Sequence, residues 1–208
     1  RDAQESRGLG DVYKRQDLYP THGLAPLCLI AGVNRTDRIK SLTAFASKPA
    51  GILQRIKDLG GNADVKITMG DIISSQIETE NGILISLVHD TTLPRPRSMD
   101  FEVQGTKGIW QGDPRRIYLE GISPMETWEP DLRYIEQYES RYWQLWGTDA
   151  LLHDAHHQGM DYIMLKVLEA DLQGTCSYPA TLEDLALWTS VTPWSKASIS
   201  QRKTVCCL

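Results

Sequence analysis

The chain has 208 residues, of which 41% are hydrophobic and 24% charged, and its formal net charge is −5. These proportions suit an ordinary globular protein with a sizeable core. The negative balance excludes the basic footprint of a nucleic-acid or anionic-membrane binder. The longest apolar run, Leu24 to Val33, is broken by Pro26 and is too short to cross a bilayer. Cys28, Cys176, Cys206 and Cys207 have no Cys-x-x-Cys spacing and are read as free thiols.

Residues 1–16 are set aside first. Ser6 to Gln16 looks like the translation of a transposon-type sequencing adaptor, and Arg1-Asp2 like the end of its companion. Such scars are excluded from fold reasoning. The expectation is a disordered artefact over 1–16 on a metagenomic, bacterial fragment, followed by one α+β domain over 17–208.

Thr21 is expected to cap a short helix, Leu24 to Ala31, closed by Gly32, with Pro26 in its first turn. Ile39 to Ser47 alternates and predicts a strand; Gly51 to Leu59 predicts a short connecting helix. Ser74 to Thr79 and Ile83 to His89 are β-rich runs around Asn81-Gly82, a hairpin signal because both turn positions accept φ > 0. Met99 to Gln104, Ile109 to Gln111 and Arg116 to Glu120 continue an antiparallel meander.

The last third reads as helical. Asp131 to Trp146 carries Tyr134, Tyr138, Tyr142 and Trp146 at helical spacing, a packing face. Met160 to Leu172 is amphipathic, and a further helix opens at Thr181 and runs towards Trp188, with Pro193 ending or kinking it. The fold class is therefore α+β: an open, largely antiparallel β-sheet with helices on one face.

Two groups of residues carry candidate chemistry. His153, His156 and His157 share i, i+3 and i+4 spacing, but no Cys or Glu ligand accompanies them. A solvated helix end is favoured, and no metal site is expected. Tyr19-Pro20-Thr21-His22-Gly23-Leu24 places a phenol, a rigid proline and an imidazole just ahead of a helix. A Tyr/His pair suits movement of a sugar hydroxyl proton. Taken alone, the same residues also fit a packed aromatic and a capping histidine.

Tyr19 to Pro26 resembles the Tyr-Pro-Thr-His-Gly-Leu-Gly-Pro motif of glycoside hydrolase family 109, in the Gfo/Idh/MocA oxidoreductase superfamily. The resemblance continues in order through Asn34 to Asp37, Gly70-Asp71, His89 to Pro96, Gly105 to Gly108 and His157 to Asp161. It implies the C-terminal, substrate-binding domain of a two-domain enzyme whose N-terminal Rossmann domain, absent here, holds NAD. The chain carries no Gly-x-Gly-x-x-Gly turn after a strand.

In the resembled hydrolases NAD oxidises the sugar at C3, acidifying the C2 proton; elimination, water addition and reduction follow. The resemblance implies His22 as the base at the C3 hydroxyl, or that base's partner, and Tyr19 as a contact to both cofactor and sugar. Pro20 and Thr21 would shape the wall. Another catalytic tyrosine of the family would lie upstream. His89, Asp90 and His157 are candidate cleft residues, although His89 and Asp90 equally suit a strand-end pair that pins the sheet.

Two positions depart from the family. Arg97 stands where the family has a substrate-contacting tyrosine, and Gln158 where it has a second glycine. A permanently charged guanidinium favours an anionic or oxygen-rich ligand or faces solvent. This favours a sugar or cyclitol dehydrogenase as the alternative to the hydrolase; a non-catalytic binding subunit is a third alternative, which the intact Tyr19 to His22 motif disfavours. A carbohydrate is the expected partner, with the open sheet face available for a homo-oligomer; bacterial cytoplasm and periplasm both remain open.

Overall fold

The computed structural model describes residues 15–90, 92–96, 98–154 and 157–207. Most of the stretch read as foreign, together with Arg97 and His156, lies outside these residues. Of that stretch, Arg15 is exposed and donates to the Ala46 carbonyl at 3.4 Å, and Gln16 is buried. Contacts group the chain into two compact units. The first joins the segment before Ser98 to the segment from Leu182 onward, and the second is Ser98–Thr181.

The first unit contains α1 (Thr21–Ala31), β1 (Ile39–Ala46), α2 (Ala50–Asp58), β2 (Ile72–Thr79) and β3 (Leu84–Asp90). The second contains β4 (Glu102–Gly105), β5 (Gly108–Gly112), β6 (Arg115–Leu119), β7 (Glu129–Pro130), α3 (Leu132–Tyr138), α4 (Arg141–His153) and α5 (Met160–Leu172). The chain then returns to the first unit as α6 (Leu182–Gln201) and β8 (Val205–Cys206).

The α+β class holds, but the strands form two antiparallel sheets, ordered β3-β2-β1-β8 and β4-β5-β6-β7. The single meander expected from neighbouring strands therefore breaks between β3 and β4.

Alternation sorts the first sheet into two faces. Leu42, Ala44, Ile73, Ile77, Ile85 and Leu87 are buried on the face covered by α1 and α6. Phe45, Leu84 and Val88 alternate with them and are exposed. The β2–β3 hairpin differs in detail from its signal. Gly82 alone takes positive φ (82°), and its N–H donates to the Thr79 carbonyl at 3.1 Å, giving a three-residue loop.

Three helix expectations are corrected by capping and packing. α1 begins at Thr21, with Pro20 in the N-cap position and no side-chain cap; Thr21 is not the cap. Pro26 is consequently the sixth residue and lies beyond the first turn. It has no N–H for the His22 carbonyl, so that carbonyl lacks its helical partner.

The helix expected over Asp131 to Trp146 is two helices. Ser140 (φ −61°, ψ 146°) leaves helical geometry, and its hydroxyl accepts from the Trp143 N–H at 3.3 Å to start α4. Tyr134 and Tyr138 thus belong to another helix than Tyr142 and Trp146. The Ser140→Ala variant is expected to lose about 1 kcal/mol, read as a lower denaturant midpoint at unchanged slope.

α6 runs straight through Pro193 for 20 residues. Its continuation buries Val191, Ser195 and Ser198. The Ser198 hydroxyl accepts from the Ala44 N–H at 2.9 Å and donates to the Lys203 carbonyl at 2.7 Å. These contacts outweigh the hydrogen bond that proline removes.

Candidate functional site

The segment Asp17–Pro20 enters α1 with its first three N–H groups taken by side chains. Asp17 donates to the Ser195 hydroxyl at 2.9 Å, Leu18 to His89 Nδ1 at 3.5 Å, and Tyr19 to Asp17 Oδ1 at 3.2 Å. α6 and β3 therefore both grip this loop. Gly23 lets α1 sit close to the sheet, since a Cβ there would lie 2.7 Å from Leu87 Cδ1.

The loop ends in the predicted pair. The Tyr19 and His22 rings lie 4.7 Å apart, centre to centre, and are inclined at 43°. Tyr19 is half-buried and His22 exposed, so the imidazole is open to solvent while the phenol supports it. Pro20 is buried, and its carbonyl accepts from the Leu24 N–H at 2.8 Å, closing the first turn. Thr21 is half-buried beside them.

Behind the pair lies a group the sequence reading missed. Asp17 is fully buried, and its Oδ2 has no hydrogen-bond partner. Burial pushes its carboxyl up to about 6, with the Tyr19 N–H pulling it back in part. His89 Nδ1 stands 3.9 Å from Asp17 Oδ1, and the imidazole is mostly buried. His89 thus reaches the candidate loop from below, as a support. Asp90, next along β3, pairs with Arg95 at 3.7 Å. The signal for Asp17 was its place two residues before the motif.

Two other motif segments prove to be structural. Arg35 makes a two-pronged contact to buried Asp184 at 3.0 and 2.8 Å, joined by Asn34 at 3.3 Å, and so ties the α1–β1 loop to α6. Asp71 accepts from the N–H groups of Gly51 (2.7 Å) and Ile52 (3.1 Å) and from the Thr92 hydroxyl (2.5 Å). Burial alone would raise the Asp71 carboxyl, but these hydrogen bonds win and hold it below its ordinary value. Gly70 precedes it because a Cβ would meet the Ser47 carbonyl oxygen at 2.6 Å.

In the second unit, His157 Nδ1 pairs with Asp161 at 2.7 Å, and the His153 ring stacks on Tyr162 at 5.9 Å. His156 and Arg97 fall outside the described residues. Among the described residues no group of three His, Cys, Asp or Glu side chains is placed to hold a metal, and no helix is long and apolar enough to cross a membrane.

Two antiparallel sheets with helices, and a Tyr–His pair presented at a helix start, make up an α+β fold. The fold is similar to that of the NAD-binding protein from Listeria innocua, with a TM-score of 0.52 and 13% identity, covering 90% of this chain and 49% of that one. The chain matches glycosyl hydrolase 109, C-terminal domain, over residues 2–207 and belongs to that family.

Relatives agree with this assignment. A glycosyl hydrolase family 109 protein of Stenotrophomonas maltophilia is 37% identical over 194 residues, covering 91% of this chain and 42% of that protein. An alpha-N-acetylgalactosaminidase of Tannerella forsythia is 34% identical, with 91% and 41% covered. The chain spans less than half the length of these relatives.

Proposed function

We propose that the complete protein is an NAD-dependent glycoside hydrolase acting by transient oxidation at C3 and elimination. In this reading the chain contributes the substrate side, with His22 as the base at the C3 hydroxyl. One observation carries the reading: an exposed imidazole is braced by a phenol on a loop whose three N–H groups are all tied down. A base held in one orientation before substrate arrives is what a proton transfer coupled to hydride loss needs.

The residues present fit the edge of a nicotinamide cofactor rather than its main cradle. Tyr19 offers a partly open aromatic ring beside His22, and the sequence holds no glycine-rich dinucleotide turn. When bound, chiefly by the part of the protein beyond this chain, NAD supplies the acceptor for the C3 hydride.

His22 takes the hydroxyl proton and returns it when the ketone is reduced. Tyr19 fixes the imidazole's tilt and contacts both sugar and cofactor. Pro20, being buried, sets the backbone, and Thr21 contributes to the wall. Arg97 is proposed as a charged contact for an oxygen-rich substituent, His89 and Asp90 as support from β3, and His157 as a substrate-side candidate on the second unit. The exposed face bearing Phe45, Leu84 and Val88 is proposed as a surface for self-association.

The complete protein, incubated with NAD and chromogenic α- and β-glycosides, is expected to release aglycone with no net accumulation of NADH. Stoichiometric NADH from free sugar, without aglycone release, would establish the sugar or cyclitol dehydrogenase reading instead. Arg97 in place of a neutral phenol is the feature that keeps that second reading in view.

A further inference from the structure

A cavity of about 480 Å³ lies wholly within the second unit, between α4 and the loop that follows α5. Its wall includes Arg141, Tyr142 and Trp146 on one side and Thr175, Cys176 and Ser177 on the other. Its volume falls within the range of small-molecule sites, roughly 300–1,000 Å³.

The aromatic wall is built from two parallel rings. Tyr142 and Trp146 are four residues apart on α4, and their rings are parallel to within 3° with centres 6.2 Å apart. Parallel rings at that separation are offset, so each leaves part of its face uncovered. Both pack against the core of Ala150, Ile163 and Val167, which fixes the wall in place.

The polar groups on the rim are free to bind. Arg141 and Ser177 are exposed, and among the described residues Arg141 makes no ion pair and the Ser177 hydroxyl no hydrogen bond. The Thr175 hydroxyl donates to the Ala170 carbonyl at 2.9 Å, which leaves its lone pairs as acceptors. Among the described residues no acidic side chain lines the cavity, which disfavours a cationic guest. A single guanidinium is too little for a polyanion. A ring with an apolar face and a rim of hydroxyls matches both walls.

We propose that this cavity is a second carbohydrate-binding site, taking a pyranose flat against Tyr142 and Trp146 with its hydroxyls towards Arg141, Thr175 and Ser177. It is independent of the Tyr19–His22 pair, so its success or failure does not decide the catalytic proposal.

Cys176 provides the test. Its half-buried thiol lines the cavity and makes a weak contact with the Val167 carbonyl at 3.6 Å. Cys206 is exposed and serves as an internal reference. The buried thiols of Cys28 and Cys207 are pushed up to about 12 and about 11 and stay protonated.

Iodoacetamide labelling of the 208-residue chain, read peptide by peptide in a mass spectrometer, is run with and without methyl glycosides of galactose, glucose and N-acetylgalactosamine. Saturating glycoside is expected to slow labelling of Cys176 several-fold relative to Cys206. Saturation-transfer NMR is expected to mark one face of the pyranose.

Arg141→Ala and Ser177→Ala, both at exposed side chains without internal partners, are expected to weaken protection by about tenfold each at most. Trp146→Ala is expected to abolish it, and His22→Ala to leave it unchanged. Cys176 labelling that ignores every glycoside, protection by indole but by no glycoside, or protection unaffected by all three cavity variants would overturn the proposal.

Discussion

His22→Ala in the complete protein is expected to lower turnover by roughly 10²–10⁴-fold, the range typical of a lost general base, while NAD stays bound. The exposed imidazole makes no internal hydrogen bond among the described residues and rests against the Tyr19 ring. Truncation therefore removes the proposed base without opening the core around Leu24 and Cys28. The measurement pairs kcat and kcat/KM on a chromogenic glycoside with the NAD content of the purified variant. Equal losses in both constants at full NAD occupancy mark an interaction made in the transition state. Unchanged turnover would remove His22 from the mechanism.

Asp17→Asn is expected to stabilise the folded chain increasingly as pH rises above about 4. Burial raises the Asp17 carboxyl to about 6 in the folded protein, against roughly 3.9 in an unfolded chain. The folded state therefore holds this proton more tightly, and ionising the carboxyl opposes folding. Below about pH 4 both states are protonated and the residue costs nothing. Between about pH 4 and 6 the penalty builds at about 1.4 kcal/mol per pKa unit, and above 6 it levels off at about 3 kcal/mol.

Asparagine never ionises, and its amide oxygen still accepts the Tyr19 N–H. The stability difference between variant and parent should therefore be small at pH 4 and reach its plateau above pH 7. His89 is the titratable neighbour facing Asp17, 3.9 Å away. Repeating the series in a His89→Gln background separates its contribution. Denaturant midpoints across pH 4–8 that run parallel for variant and parent would refute the assignment.

Much of the secondary structure could be read from the residues because its signals are local. Alternation marked β1, β-rich runs marked β2 and β3, and the Asn81-Gly82 pair marked the hairpin between those two. Helical spacing marked α5, and a glycine with φ of 72° closed α1 as anticipated. The Tyr19–His22 contact is also local, since three residues across a helix start bring the rings together.

What misled were signals that packing overrode. Pro193 speaks against a continuing helix, yet α6 passes through it because Ser195 and Ser198 make hydrogen bonds to distant backbone groups. The aromatic periodicity spoke for one long helix, yet Ser140 divides it by capping the second half.

The amino-acid order by itself determined the α+β class, most strand and helix positions, the family and the candidate imidazole–phenol pair. Each depends on residue type and short-range spacing, which a linear string records. Tertiary structure alone decided that the strands part into two sheets, that Asp71 and Asp184 hold the frame, and that Asp17, His89 and Ser195 meet beneath the candidate site. Those partners lie tens to nearly two hundred residues apart in the chain, with separations of 71 and 178 for the two contacts to the site loop. Only burial, which makes an unpaired polar group costly, forces such groups together.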